Sequence, residues 1–445
     1  MSPLQHSGAA APKSAALKSF EAQWLAREAD PLTALRERAM ERFVRLGLPT
    51  TRDESWRYTN LKRLAGQSFV DAPRAPQGIL QPSTAFRLTD TKDLAVTVLM
   101  VNGHPVLPTD IDNDYIEIIS LRELARTDPA LLSRALLPLS DADEARWGLL
   151  NTALFVDGLY LKIKSRSAAP LVIRHVATAD GPDTVAYPRV IIEGCAGSNA
   201  TIIEHHVQQG DHTPLCNSAT HIALKEGAEL EHYRVFATGA GASHIDSLSV
   251  CQERNSRCKQ FTVALGGGLV RASLDARLTE ANACLESFAL LVGHGERHVD
   301  CVNIARHSAP DTRSHQTARA IASGTSRVIF NSKVVVDSGA VRSESQQSCR
   351  GLLLSPSAEI DSRPQLEIHA DEVKCAHGAT TGRLDPDMLF YMLSRGLDRD
   401  TAQSLLVYAF LADVLTGMSM AFARGAIENA LIDQLPDSQV LQRFR

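Results

Sequence analysis

Between Leu154 and Thr381 the chain consists almost wholly of short stretches in which apolar and polar residues alternate, and this limits its fold more than any other feature. GLYLKIK (158–164), ATIIEHHV (200–207), HIALKE (221–226), ELEHYRVFA (229–237), LVRASLDARL (269–278), ACLESFALLV (283–292), RVIFNSKVVV (327–336) and LEIHADEV (366–373) are examples. Each has the period of two that places alternate side chains on opposite faces of a strand. Small-residue turns separate them: Gly197-Ser-Asn-Ala200, Gly227-Ala228, Gly266–Gly268, Ser323-Gly-Thr325 and Ser338-Gly-Ala340. Prolines are sparse in this run and no long amphipathic helix crosses it. Many short strands with regular turns imply a closed, stacked or layered β architecture. A β-helix resolves the exposed-edge problem by pairing each strand with the rungs above and below. On the pattern alone, a large sandwich or barrel fits equally well.

Helical sequence flanks this core. Residues 1–16, rich in Ala, Ser and Pro, are expected to form a disordered tail. A mixed region, 17–153, begins with Phe20, Trp24, Leu25, Leu32, Leu35, Met40, Phe43 and Leu46 at helical spacing, broken near Asp30-Pro31. A proline-dotted connector spans about 71–84. Strands are expected at 95–102 and 115–119, and helices across Ser120–Leu137 and Asp141–Asn151, with Ser140 as N-cap. After the core, 154–381, a C-terminal helical domain covers 385–445. Asp385 suits its N-cap, Pro386 its first turn, and Gly396 the end of its first helix. Two further helices are expected at Asp398–Leu415 and Met418–Leu435.

Composition removes several function classes. The net charge is −5 without any block of like charge, which argues against a phosphate-binding surface. Aromatics at 5% are too few for a base- or sugar-stacking platform. The eight cysteines form no Cys-x-x-Cys pair, so neither a zinc ribbon nor a self-contained ferredoxin-type site is expected, and Cys251 and Cys258 read as unrelated thiols. The start, MSPLQHSGAAAPKSAALKSF, lacks a secretory apolar core. Free thiols and a cytoplasmic location follow. Leu405–Ala423 has the length of a membrane span, but it contains Asp413 and Thr416-Gly417 and reads as a buried or docking helix. No P-loop, Gly-x-Ser-x-Gly elbow or His-Glu-x-x-His is present. Glu204-His205-His206 looks like a metal cluster, yet neighbouring strand residues face opposite ways, so the two histidines cannot chelate together without a bulge.

Cys375 and His377 remain the leading candidates. Two residues apart on one strand they share a face, and counting back adds Val373, Asp371 and His369; a turn at Gly378–Gly382 is expected to end that strand. A thiol beside an imidazole fits iron or zinc ligation, or a sulfur nucleophile with its base.

The segment QLEIHADEVKCAHGATTGRLD with LFYMLSRGL (Leu389–Leu397) resembles the C-terminal signature of the SufD branch of the SufB/SufD family. HVDCVNIARHSAPDTRSHQ (298–316), GLLLSPSAEIDSRPQLEI (351–368) and PTTRDESWRYTNL (Pro49–Leu61), with its Arg-x-Glu-x-Trp-x-Tyr-Thr element, match in order and spacing. SufB carries a Glu-His-Glu-Ala type sequence where this chain reads Cys375-Ala-His-Gly378, and where this chain has His369 the family more often has an aromatic. The resemblance implies a right-handed parallel β-helix core between helical regions. It also implies a non-enzymatic scaffold in iron–sulfur cluster assembly that pairs with SufB and can form a homodimer in isolation; the composition points to neither nucleic acid nor membrane. His377, with Cys375 less firmly, would contribute to a nascent cluster shared with SufB and not held permanently. The tail would dock the SufC ATPase through Leu405, Leu406, Phe410, Leu411, Val414 and Leu415, whose apolar surface exceeds what a small helix pair needs. A β-helical carbohydrate-active enzyme or acyltransferase is the alternative, but the sequence shows no paired-carboxylate constellation for it.

Overall fold

The alternating stretches become rungs of a parallel β-solenoid. The computed structural model describes residues 13–74, 96–107, 114–136, 145–167, 169–178, 183–210 and 212–432. Helices α1 (Ala15–Leu25) and α2 (Thr33–Leu46), a 3-10 turn (Glu54–Trp56) and α3 (Lys62–Ala65) come first. Strands β1 (Val70–Asp71), β2 (Val96–Val101), β3 (His104–Val106) and β4 (Ile116–Ser120) follow, then α4 (Leu121–Thr127), α5 (Pro129–Ala135) and α6 (Arg146–Leu154). The solenoid begins with β5 (Leu159–Ile163), β6 (Leu171–Thr178), β7 (Thr184–Ala186), β8 (Arg189–Gly194), β9 (Asn199–Gln209), β10 (Leu215–Leu224), β11 (Glu229–Ala237) and β12 (Ser243–Gln252). It continues through β13 (Arg257–Ala264), β14 (Leu269–Leu278), β15 (Cys284–Gly293), β16 (His298–His307) and β17 (Arg313–Ala322). Strands β18 (Arg327–Val336), β19 (Glu344–Leu353), β20 (Glu359–Ile368) and β21 (Lys374–Arg383) end it, and α7 (Pro386–Ser394), α8 (Arg399–Thr416) and α9 (Ala421–Ile432) follow.

Two sheets face each other across the interior. From β9 onward the odd strands stack in sequence as far as β21, and the even strands do the same from β8 to β20, every neighbour parallel. Unbroken register puts Asn199, Glu229, Arg257, Cys284, Arg313, Glu344 and Lys374 in one column, so a turn takes roughly 30 residues. One residue per rung turns the corner between sheets in the left-handed region: Gly197, Gly227, Asn255, Asn282, Asp311, Arg342 and Glu372, with φ between 55° and 70°. Glycine, asparagine and aspartate tolerate that conformation. The last two rungs use Arg342 and Glu372, and Arg342 is held there by paired hydrogen bonds to Asp311, both 2.7 Å.

Helices cover the outer faces. α6 packs on β10 and β12, and with α1 and α2 it buries Phe20, Phe43, Trp147 and Phe155 over the even-strand sheet. On the odd-strand sheet Tyr233, Phe261 and Phe288 stack at centroid separations of 4.6 and 4.8 Å. The apolar faces of α8 and α9 cover this ladder with Val407, Leu411, Val414 and Ile427.

Two details differ from the sequence reading. Ser14 caps α1, whose Ala16 is fully buried, so the expected tail ends before residue 15. The described part of α6 starts at Arg146; the expected start at Asp141, its cap Ser140 and most of the 71–84 connector lie outside the described residues, as do 433–445. The expected turn at Gly378–Gly382 is instead the second half of β21, which runs straight to Arg383 because each residue pairs with β19.

Candidate functional site

The two sheets end together at one end of the solenoid. β21 pairs with β19 and β20 with β18, and among the described residues neither has a neighbour on its other side. Lys374 N–H bonds back to Ser343 O at 3.0 Å. In a parallel ladder residues alternate in direction, so the backbone groups of Cys375, His377, Ala379 and Thr381 point away from the solenoid. Such an edge is a template for strand addition.

Cys375 and His377 lie on this edge strand and face the interior. Cys375 continues the buried column of Cys258, Leu285, Ser314 and Ser345, and, like Val373, Ala370 and Leu366, it packs partly buried against the apolar core of the solenoid. His377 continues a buried polar column of His232, Gln260, Ser287, Gln316 and Gln347. Since no rung lies beyond it, its imidazole is exposed. The two Cα atoms are roughly 6.6 Å apart by strand rise, close enough for both side chains to reach one polynuclear centre. Partial burial pushes the Cys375 thiol up, opposed by a backbone hydrogen bond from Ser345. It is therefore a neutral thiol until a metal or base takes its proton.

The rest of the expected face does not form. Glu372 is the left-handed corner, so His369, Asp371 and Val373 precede the strand and do not continue its alternation. His369 follows β20, its N–H on the Val336 carbonyl and its ring 3.1 Å from Glu367. Hydrogen bonds from Lys333 and His369 hold the Glu367 carboxyl down at about 2.

The apolar residues expected to dock a partner divide into two groups. Leu411, Val414 and Leu415 are buried against the solenoid and offer no outer surface. Leu405, Leu406 and Phe410 are half-buried. A stronger surface feature went unnoticed in the sequence: Met388, Phe390 and Tyr391 of α7 are 57%, 71% and 62% exposed. Helical spacing alone does not tell an exposed aromatic face from a buried one.

The N-terminal signature is an anchor. Arg271, reaching outward from β14, lies with its guanidinium 3.7 Å from the centre of the Trp56 ring and donates to Ser55 O at 2.9 Å. Arg271 is also paired with Asp300, and Thr59 donates to the same carboxylate. Glu54 pairs with Arg363 on β20, the last strand of the even sheet. With the Arg327 guanidinium of β18 5.4 Å from the centre of the Tyr58 ring, the motif clamps the N-terminal region to four successive strands of the even sheet, β14 to β20.

Comparison with known proteins accounts for most of the chain. The family model "SUF system FeS cluster assembly, SufBD core domain" matches residues 175–410, and "SufBD protein N-terminal region" matches 17–172. The iron–sulfur cluster assembly protein SufD of Escherichia coli is 27% identical over 379 residues, 84% of this chain and 86% of that protein. A SufBD family protein of Synechocystis is 27% identical over 409 residues, 89% of each chain. SufD of Bacillus subtilis is 22% identical over 408 residues, 90% of this chain and 92% of that one. No helix among the described residues is long and apolar enough to cross a membrane.

Proposed function

Since the chain belongs to the SufBD family of iron–sulfur cluster assembly proteins and is SufD-like, we propose that it is the subunit that pairs with a SufB-type partner to complete a shared assembly site. The family match displaces the carbohydrate-active and acyltransferase alternatives. One observation carries the pairing: two unpaired strand edges end side by side where His377 and Cys375 emerge. A partner that adds strands there meets both side chains at once. The nascent cluster is cargo, bound through one imidazole and one thiolate on this side, with the remaining ligands supplied by the partner. A displaceable nitrogen donor lets the cluster leave, whereas four thiolates from one chain would retain it. On this reading the chain is a scaffold and performs no catalysis of its own.

Co-expression with a SufB-type subunit and an ABC-type ATPase tests the pairing. Ala379→Pro removes an outward-pointing N–H without touching the bonds to β19. The expected result is a folded variant that no longer co-purifies with the SufB-type subunit. Undiminished co-purification would place the interface elsewhere.

We assign SufC-type ATPase docking to α7 and the half-buried Leu405, Leu406 and Phe410 of α8. Phe390→Asp puts a charge in the centre of the most exposed aromatic patch. Because Phe390 buries little, the melting temperature should hold while ATPase affinity falls on the order of 30-fold, the effect of losing one interface hot spot. Unchanged affinity removes α7 from the interface.

A further inference from the structure

Six strand steps from His377, roughly 29 Å along the stack at 4.8 Å per step, buried side chains of neighbouring strands converge inside the solenoid. His175 of β6, His206 of β9 and Phe236 of β11 share one register column. Their rings stack at 4.2 and 5.0 Å. His244 of β12 meets His206 edge-on at 4.6 Å, and Cys216 of β10 is the register partner of His244. His175, His206, Cys216 and His244 all line one small pocket of about 10 Å³, space for a single small body.

The hydrogen bonds fix which nitrogens are free. Ser218 donates its hydroxyl proton to Asp246, so its oxygen accepts from His244 Nε2–H at 2.8 Å. The lone pair of His244 is then on Nδ1, which is buried without a hydrogen-bond partner. Glu204, a carboxylate that only accepts, takes bonds from Thr220 at 2.8 Å and from His175 Nε2 and His232 Nε2 at 2.9 Å. That leaves His175 Nδ1 as a second unpartnered lone pair. His206, 2% exposed, has no partner on either ring nitrogen. Ligand atoms of His206, Cys216 and His244 lie within 4.8 Å of one another. Four buried ring nitrogens without partners in one small volume go against the rule that interior polar groups are satisfied. A cation would take one lone pair from each ring.

We propose that His206, Cys216 and His244 bind one zinc-class divalent cation, with His175 lining the same cavity as the candidate fourth donor. Two imidazoles and a thiolate are a borderline-soft set that suits zinc. Binding forms one metal–sulfur and two metal–nitrogen bonds, and the Cys216 thiol proton leaves to solvent. Ser218 and Asp246 are positioning residues: their chain of hydrogen bonds holds the His244 tautomer and ring orientation, as outer-shell carboxylates do in metal sites. The ion ties β9, β10 and β12 together across the two sheets. It is a resident structural metal, separate from the transient cluster, and it does not depend on the proposed function.

The donor side chains are buried, so the full-length chain is unfolded and refolded with Zn²⁺ or Co²⁺, then dialysed. Wild type should retain about one equivalent of metal, show a thiolate-to-cobalt charge-transfer band with Co²⁺, and melt higher than the metal-free chain. His206→Phe preserves the ring stack, and Cys216→Ala removes the sulfur. Each should retain under about 0.1 equivalent and lose the metal-dependent rise in melting temperature. Ser218→Ala should still bind, about 10–100-fold more weakly. Should either ligand variant fail to fold, the other still decides the question. Wild type that refolds without metal and melts identically with and without it overturns the site. So does metal retained equally by both ligand variants, which marks surface binding only.

Discussion

A His377→Ala variant is expected to assemble with its partners at wild-type yield and to build no cluster. His377 is exposed at the end of the solenoid, so its loss should cost the fold less than about 0.5 kcal/mol. The backbone that would pair with a partner strand is unchanged. What disappears is the nitrogen donor, and a chain left with one half-buried thiol cannot supply its share of a coordination sphere. Iron and acid-labile sulfide in the purified complex after reconstitution, read beside its elution volume, separate assembly from chemistry. Cys375→Ala should have the smaller effect, since that thiol packs inward against the apolar core and is a neutral thiol at rest. Clusters formed at the normal rate by His377→Ala would remove the residue from the site.

The strands were legible because solenoid rungs are written locally. Alternation in ELEHYRVFA or LVRASLDARL marks a strand whatever lies above it, and glycine or asparagine at the corners marks the turns. Arg342 and Glu372 hide the same corner, since nothing in their chemistry announces a positive φ. The alternation therefore reads in sequence as continuing back through Asp371 to His369, and the glycines of Gly378–Gly382 imitate a turn although the run is extended. Glycines in β21 cost little where register with β19 supplies the order. The choice between β-helix and sandwich rests on which strands pair, which one sequence cannot state; the family resemblance supplied it. The interior cluster shows the same limit. His205 and His206 face opposite ways, as alternation requires, but His206 meets His175, Cys216 and His244 only through stacking of rungs. Likewise Leu411, Val414 and Leu415 cannot be told from docking residues until the aromatic ladder they cover is in place.

Arg271→Met is expected to be the most damaging single substitution for stability. Arg271 and Asp300 are 2% and 1% exposed, paired on the outer face of the even-strand sheet beneath the Arg-x-Glu-x-Trp-x-Tyr-Thr segment. The carboxylate also receives the Thr59 hydroxyl, and the guanidinium carries Trp56 and the Ser55 carbonyl. Methionine fills the volume of the arginine stem but leaves Asp300 charged and buried with only neutral donors, a cost of about 3–5 kcal/mol. Loss of the cation beneath the indole adds about 1 kcal/mol. Against an ordinary domain stability of about 5–15 kcal/mol this is a large fraction. The signature segment should therefore loosen first, with earlier quenching of Trp56 and protease cleavage at Arg57, Lys62 or Arg63, and the urea midpoint should fall. The double variant Arg271→Met/Asp300→Leu decides the cause. If the buried charge is the penalty, removing the carboxylate as well recovers most of the loss, because the pair itself contributes little beyond its own desolvation. If the double variant is no more stable than the single one, the guanidinium's contacts with Trp56 and Ser55 hold the N-terminal region in place. An unchanged midpoint with undiminished protection of Arg57 would mean that the clamp does not secure that region to the solenoid.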